Sequence, residues 1–317
     1  MSASGRIHAF DWLRGVAVVV MIQTHSLVLL KPELARDALY SWLVRIDGLV
    51  APSFIFSAGF ALALVQVRSA RSSKDVKAQR RAQALKTLKR IGEVLLVASF
   101  VNTVWFPTWR EPKWLLRIDI LHCIGLSLLL VLPLLVGLAS RPQVLRWLML
   151  GLAGLVFALS PLAEHVDGVW AIFATRKVGL IDATHGTTFP LFPWSGYVFL
   201  GASFGATVGM LQPSSAGTSM AATLRAEAPL WRWWALLWGV GAALWATDGF
   251  WREAYPPHDF WANNPANAAQ RWTLVLSLVA LFRLIEVTRP ASTTSRLARL
   301  VGTFGASSLS AYVFHEM

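Results

Sequence analysis

Three ionisable residues belong to the first helix read from the sequence: Asp11, Arg14 and His25. Charge inside a membrane-spanning segment is costly, so each is a functional candidate by default. Eleven residues separate Arg14 from His25. On a helix that spacing turns through about 1100°, within about 20° of three full turns, so both side chains leave the same face. The rise between them is about 16 Å, with Val18 and Met21 between. That stripe suits one extended ligand entering from the cytoplasm, its anionic end at Arg14 and its reactive end near His25. The competing reading is an arginine snorkelling to the interface and a histidine bonded to a neighbouring helix.

The remaining histidines are His8, His122, His165, His185, His258 and His315. In the topology derived below, all of these except His8 fall with His25 in the outer half. Carboxylates share that level: Asp47, Asp119 beside His122, Asp182 near His185, and Asp248. A neutral imidazole next to a carboxylate is a general-base arrangement. It is also a metal-ligand arrangement, but no pair has H-x-x-x-H or H-E-x-x-H spacing, so no metal is expected. Outer loops collect polar residues, and up to half of these histidines are read as incidental. Ser307, Ser308 and Ser310 lack a G-x-S-x-G context, which argues against a serine hydrolase.

The elements that must position these residues are apolar helices. Of 317 residues, 55% are hydrophobic and only 15% charged, with mean hydropathy +0.52. A soluble domain would carry roughly 25% charged residues. A span needs about 20 apolar residues. Nine stretches qualify: 12–30, 46–67, 91–107, 118–139, 147–163, 189–211, 232–249, 271–288 and 300–317. The expectation is an all-α, polytopic transmembrane helix bundle of about nine spans. The first stretch lacks an A-x-A cleavage site and reads as a retained helix. A single cysteine, Cys123, excludes an intrachain disulfide.

Charge sets the orientation. The interruption at 68–90 holds Arg68, Arg71, Lys74, Lys77, Arg80, Arg81, Lys86, Lys89 and Arg90 against Asp75 alone. The positive-inside rule places it, and hence the N-terminus, in the cytoplasm. The inner segments (the N-terminus through Arg14, 68–93, 140–146, 212–232 and 283–299) then hold 19 Lys+Arg and 5 Asp+Glu. The outer ones hold 10 and 12. The net charge of +12 is therefore a topology signal, and nucleic acid is excluded as a partner. The outer segments 164–188 and 250–270, rich in Trp, Pro, Asn and His, read as ordered caps. Pro52 and Gly59 are expected to kink the second helix and allow close packing, and Gly196, Gly201 and Gly205 give a close-packing pattern. The Trp clusters at 105–114 and 231–238 read as interfacial belts rather than ligand stackers.

Arg14 to His25, within HAFDWLRGVAVVVMIQTH, resembles the R-x10-H signature of membrane acyltransferases that acylate sugars outside the cytoplasm. Four further blocks narrow the resemblance: APSFIFSAGF, RIDILHCIGLSLLL, FPLFPWSGYVFLGASFG and SSLSAYVFH. Together, in this order, they resemble the bacterial branch of the heparan-α-glucosaminide N-acetyltransferase family. Lysosomal relatives carry the active histidine in the outer segment after the first helix, and no His lies between Lys31 and Asp47 here. His25 is therefore carried over from the wider superfamily motif. Relatives continue beyond the closing motif, so the expectation is one acyltransferase domain, 1–317, lacking their C-terminal helices.

The resemblance implies transfer of an acetyl group from cytoplasmic acetyl-CoA, as co-substrate, to an outer sugar or amino sugar. It places the protein in the bacterial inner (cytoplasmic) membrane as a multi-pass enzyme. Catalytic candidates are His25, His122, Asp47 and Asp119, with His25 as general base or as a transiently acetylated nucleophile. Arg14, with Asp11 and the basic 68–90 segment, would hold the donor. His185, Trp194 and His315 would line the acceptor. Expected partners are acetyl-CoA, a sugar or glycan acceptor and the lipid bilayer, with a homodimer allowed. The alternative is a transporter or flippase using the same His/Asp set as a proton relay, although inverted repeats and broken helices are not evident.

Overall fold

A computed structural model describes residues 7–27, 37–72, 76–166, 188–211, 220–289 and 295–316. In chain order the helices are α1 (His8–Leu27), α2 (Ala38–Asp47), α3 (Val50–Ser72), α4 (Val76–Trp105), α5 (Ile120–Leu138), α6 (Pro142–Ala163) and α7 (Leu191–Met210). They continue as α8 (Met220–Ala226), α9 (Ala228–Ala246), α10 (Asp248–Ala254), α11 (Phe260–Asn263), α12 (Pro265–Thr288), α13 (Arg296–Ala306) and α14 (Ser308–Glu316). One 3-10 turn, Pro112–Leu116, lies between α4 and α5. No strand occurs among the described residues.

Helices occupy all nine apolar stretches read from the sequence. Among the described residues, however, four segments and not nine are long and apolar enough to cross a bilayer: Ala38–Arg71, which takes in α2 and α3, Ile120–Leu138, Pro142–Ala163 and Pro265–Thr288. The ninth stretch is two short helices, broken at Ser307. The basic stretch 68–90 is also not a plain loop. α3 runs on to Ser72, and α4 begins at Val76 with a basic first half. Pro52 produces no kink. The chain turns earlier, at Gly48 and Leu49, and Pro52 sits in the first turn of α3, where its missing N–H costs nothing.

The chain divides into two compact units. The first comprises Met1–Phe54, Gln212–Trp234 and Arg271–Met317. In it α1 lies against α13 at backbone contact. A Cβ on Gly15 would overlap the Val301 carbonyl, and one on Gly305 would overlap the Asp11 carbonyl, so only glycine allows this approach. Among the described residues no neighbour in sequence caps the N-terminus of α1. Instead Glu286 of α12 accepts from the backbone N–H of His8 (2.9 Å) and Ala9 (3.3 Å). Glu286 also pairs with Arg283 at 2.7 Å, and Arg283 pairs in turn with Glu227. All three side chains are largely buried. Acidic charge at a helix N-terminus opposes the partial positive charge there.

The second unit comprises Ile55–Leu211 and Ala235–Gln270. Its centre is α7, buried continuously from Ser195 to Gly209. A helix apolar all round belongs in a core or a membrane. Cβ atoms at Gly201 and Gly205 would overlap the carbonyls of Phe56 and Phe60 on α3, and one at Gly59 would overlap Val198. Arg71 closes the other end of this pair, donating to the carbonyls of Gly209 (3.0 Å) and Met210 (2.6 Å). Those are terminal α7 carbonyls with no helical partner. The 250–270 segment carries α11 and the start of α12. Glu164 accepts from Asp259 N–H (2.9 Å) and from the Asn263 amide (3.1 Å), and Asp259 caps α11. Residues 167–187 of the other expected cap lie outside the described residues.

Candidate functional site

The stripe on α1 stands on one unbroken helix, so Arg14 and His25 keep their three-turn register. Val18 and Met21 between them are buried. Arg14 Nη2 donates to Asp11 Oδ1 at 2.6 Å, one turn earlier. The Asp11 side chain is 8% exposed and that of Arg14 29%. Asp11 therefore anchors one edge of the guanidinium and leaves part of it open. Gly305, packed on the Asp11 carbonyl, fixes the backbone beneath the pair.

At the other end of α1 the His25 ring meets the His315 ring of α14 edge to face, with centroids 4.7 Å apart. His315 Nδ1 lies 2.7 Å from the Tyr312 carbonyl oxygen. A carbonyl only accepts, so the neutral ring carries its proton on Nδ1 and its lone pair on Nε2. Asp47, at the C-terminus of α2, lies beside Gln23 and Thr24, on the turn of α1 that carries His25. The first unit thus pairs His25 with His315 and sets Asp47 beside the residues that precede His25 on α1. Tyr312, which sets the His315 tautomer, was not singled out from the sequence.

His122 and Asp119 belong to the second unit. Asp119 is the N-cap of α5, its carboxylate accepting from Ile120 N–H at 3.1 Å. That gives it a structural task beside any catalytic one. His122 Nε2 lies 3.5 Å from Ser99 Oγ on α4, and Nδ1 is buried without a hydrogen-bond partner. Trp194, near the start of α7, packs edge-on against Phe189 at 5.0 Å. His185 and Asp182 lie outside the described residues. Among the described residues no group of three or more His, Cys, Asp or Glu is arranged to hold a metal.

Arg117 was also missed, although it opens the RIDILHC block. Its guanidinium lies 4.7 Å from the Phe106 ring centre and 5.9 Å from that of Trp114. These two rings stack on each other at 4.3 Å. The aromatic and basic residues of 105–117 carried a signal, but a belt and a ligand platform share that composition.

A family model described as heparan-alpha-glucosaminide N-acetyltransferase, catalytic, matches residues 6–232. The match takes in Asp11, Arg14, His25, Asp47, Asp119 and His122, while His315 lies beyond it. No curated protein and no solved structure matches the chain.

Proposed function

The chain belongs to the heparan-alpha-glucosaminide N-acetyltransferase family, and on that premise we propose that it moves an acetyl group from cytoplasmic acetyl-CoA to a sugar or amino sugar across the membrane. The observation that carries this reading is the α1 stripe, with a tethered arginine at one end and a facing pair of imidazoles at the other. The two ends are about 16 Å apart, so the donor's phosphates and its thioester fit one helix face.

Each residue has a distinct task in this reading. Arg14 holds phosphate oxygens through its open edge while Asp11 fixes the other edge. A carboxylate beside a phosphate site would repel the ligand, so Asp11 serves as a positioning group rather than a contact. His25 takes the proton from the acceptor amine or hydroxyl as that group attacks the acetyl carbonyl carbon. The C–S bond breaks, and the thiolate leaves and is protonated. In the two-step variant a His25 nitrogen attacks first and the acceptor then displaces it from the acetyl group. His315, its tautomer set by Tyr312, presents Nε2 as an acceptor and orients His25 or the incoming substrate. Asp47, on α2 beside Gln23 and Thr24, helps to orient the acceptor.

The family match favours transfer over transport. The deciding experiment incubates purified full-length protein with acetyl-labelled acetyl-CoA and glucosamine. Labelled N-acetylglucosamine from wild type, absent with His25→Ala, is the expected result. Absence of transfer to any amino sugar or sugar hydroxyl in an acceptor screen would overturn the reading.

A further inference from the structure

We propose that Arg117 is the centre of an oxyanion-binding site in the second unit, built to take a carboxylate, sulfate or phosphate group from outside the protein. The guanidinium is held from several directions. Nη2 donates to Thr188 Oγ1 at 2.8 Å. Its central carbon lies 4.7 Å from the centre of the Phe106 ring and 5.9 Å from that of Trp114. The Arg117 carbonyl accepts from the Asn102 amide at 2.9 Å, and Asn102 is itself 1% exposed. Ile118 next to it accepts from the backbone N–H groups of Thr188 (3.0 Å) and Phe189 (3.3 Å). A cation is thus fixed by α4, by the turn before α5 and by the entry to α7.

Among the described residues this frame holds no countercharge, and no carboxylate pairs with Arg117. Asp119, only two residues on, is turned to the N–H of Ile120. Thr188 takes one donor of Nη2, Nε is buried without a partner, and the Nη1 edge meets no acceptor among the described residues. An arginine beside aromatic rings can still offer its fork to planar or tetrahedral oxyanions. A half-buried cation with no countercharge among the described residues is costly, and a bound anion removes that cost.

A second polar group lies close by. Ser99 and Asn102 are one turn apart on α4, and through them His122 and the Arg117 backbone meet neighbouring turns. The same connection also displays Trp109, 75% exposed, with Arg110 stacked 4.5 Å over its ring. Two arginine–aromatic pairs in one connection fit a sugar bearing an acidic group. A phospholipid headgroup carries the same oxyanion chemistry, and the test separates the two sources.

The experiment uses full-length protein purified in neutral detergent and measures binding by calorimetry, so it does not depend on acetyl transfer. The ligands are glucuronate, inorganic sulfate and, as an uncharged control, glucose. Expected are saturable binding of glucuronate and sulfate that weakens with salt and no comparable binding of glucose. Arg117→Gln should weaken glucuronate binding about tenfold or more, with Arg117→Lys intermediate because it keeps charge but not the fork. The second arm measures phosphatidylglycerol co-purifying with wild type and with Arg117→Gln. Arginine-dependent lipid retention without glucuronate binding supports the oxyanion site and assigns it to a headgroup. The wild-type comparison of glucuronate with glucose stands even if Arg117→Gln does not fold. Equal binding of both sugars together with lipid retention unchanged by Arg117→Gln would overturn the proposal.

Discussion

The imidazoles of His25 and His315 meet edge to face, their centroids 4.7 Å apart and their planes at 77°. Residues from opposite ends of the chain thereby share one place in the first unit. If His25 is the base or nucleophile, His25→Ala removes transfer, since loss of a general base alone costs about 10²–10⁴-fold in rate. Acetyl-CoA binding should persist, because the phosphate end sits about 16 Å away. His315→Ala should lower kcat for the acceptor and leave donor affinity unchanged. Full turnover by His25→Ala would move the role off α1, with His122 as the next candidate.

The donor end gives a separate outcome. Arg14→Ala should weaken acetyl-CoA binding, and Arg14→Lys should restore part of it by keeping the charge without the fork. Asp11→Asn keeps a hydrogen-bond acceptor for Arg14 and should weaken binding less than Arg14→Ala does. Equilibrium binding of labelled acetyl-CoA reads all three. Wild-type affinity in a folded Arg14→Ala protein would remove the donor site from α1.

Much of this arrangement was legible in the sequence because it is local. Helical period alone put Arg14 and His25 on one face, and close glycine spacing marked where α7 accepts α3. Asp119 just before an apolar run is equally a cap signal, and the structure uses it as a cap. What could not be read depends on partners remote in sequence. Arg117 meets Asn102, Phe106, Trp114 and Thr188, and the cap of α1 comes from Glu286. No short window joins Arg117 to Thr188 or the start of α1 to Glu286, and the nearer aromatics read equally as a belt. The break at Ser307 was missed because α13 and α14 read together as one apolar stretch.

Sidedness is open to direct measurement. Trp261 is 68% exposed and Leu85 58% exposed, so cysteines placed there are accessible to a reagent. Cys123, the native thiol, is fully buried and gives little background. An impermeant maleimide should label Trp261→Cys in intact cells and label Leu85→Cys only after permeabilisation. The reverse pattern would invert the topology and place the α1 arginine on the outer side.

The glycine contacts predict a contrast in stability. Gly201→Ala places a methyl group against the Phe56 carbonyl, backbone that no rotamer change can clear. Gly239→Ala meets open space on α9 and should be neutral or gain up to about 1 kcal/mol from helix propensity. Thermal midpoints in detergent should therefore fall for the first and hold or rise for the second. Equal midpoints would mean that α3 and α7 are less closely packed than described.

The buried charge network of the first unit gives the last prediction. Arg283 bridges Glu227 and Glu286, with side-chain exposures of 14%, 9% and 8% respectively. Such a network adds little net stability when intact, because desolvation offsets attraction. Breaking it is another matter. Arg283→Met leaves two buried carboxylates without their cation, and removing one partner of a buried pair costs about 3–5 kcal/mol. Glu286→Gln should cost less than that. Its amide oxygen still accepts from His8 or Ala9, and Arg283 keeps Glu227. Glu286→Ala falls between the two, because it removes the distant cap of α1 but leaves Arg283 one partner. The expected order of thermal midpoints is wild type, Glu286→Gln, Glu286→Ala and Arg283→Met, from highest to lowest. Because α1 also carries Arg14 and His25, fraying its start should weaken acetyl-CoA binding in the Glu286 variants. A stable Arg283→Met protein with normal donor binding would show that the network neither holds α1 nor positions its stripe.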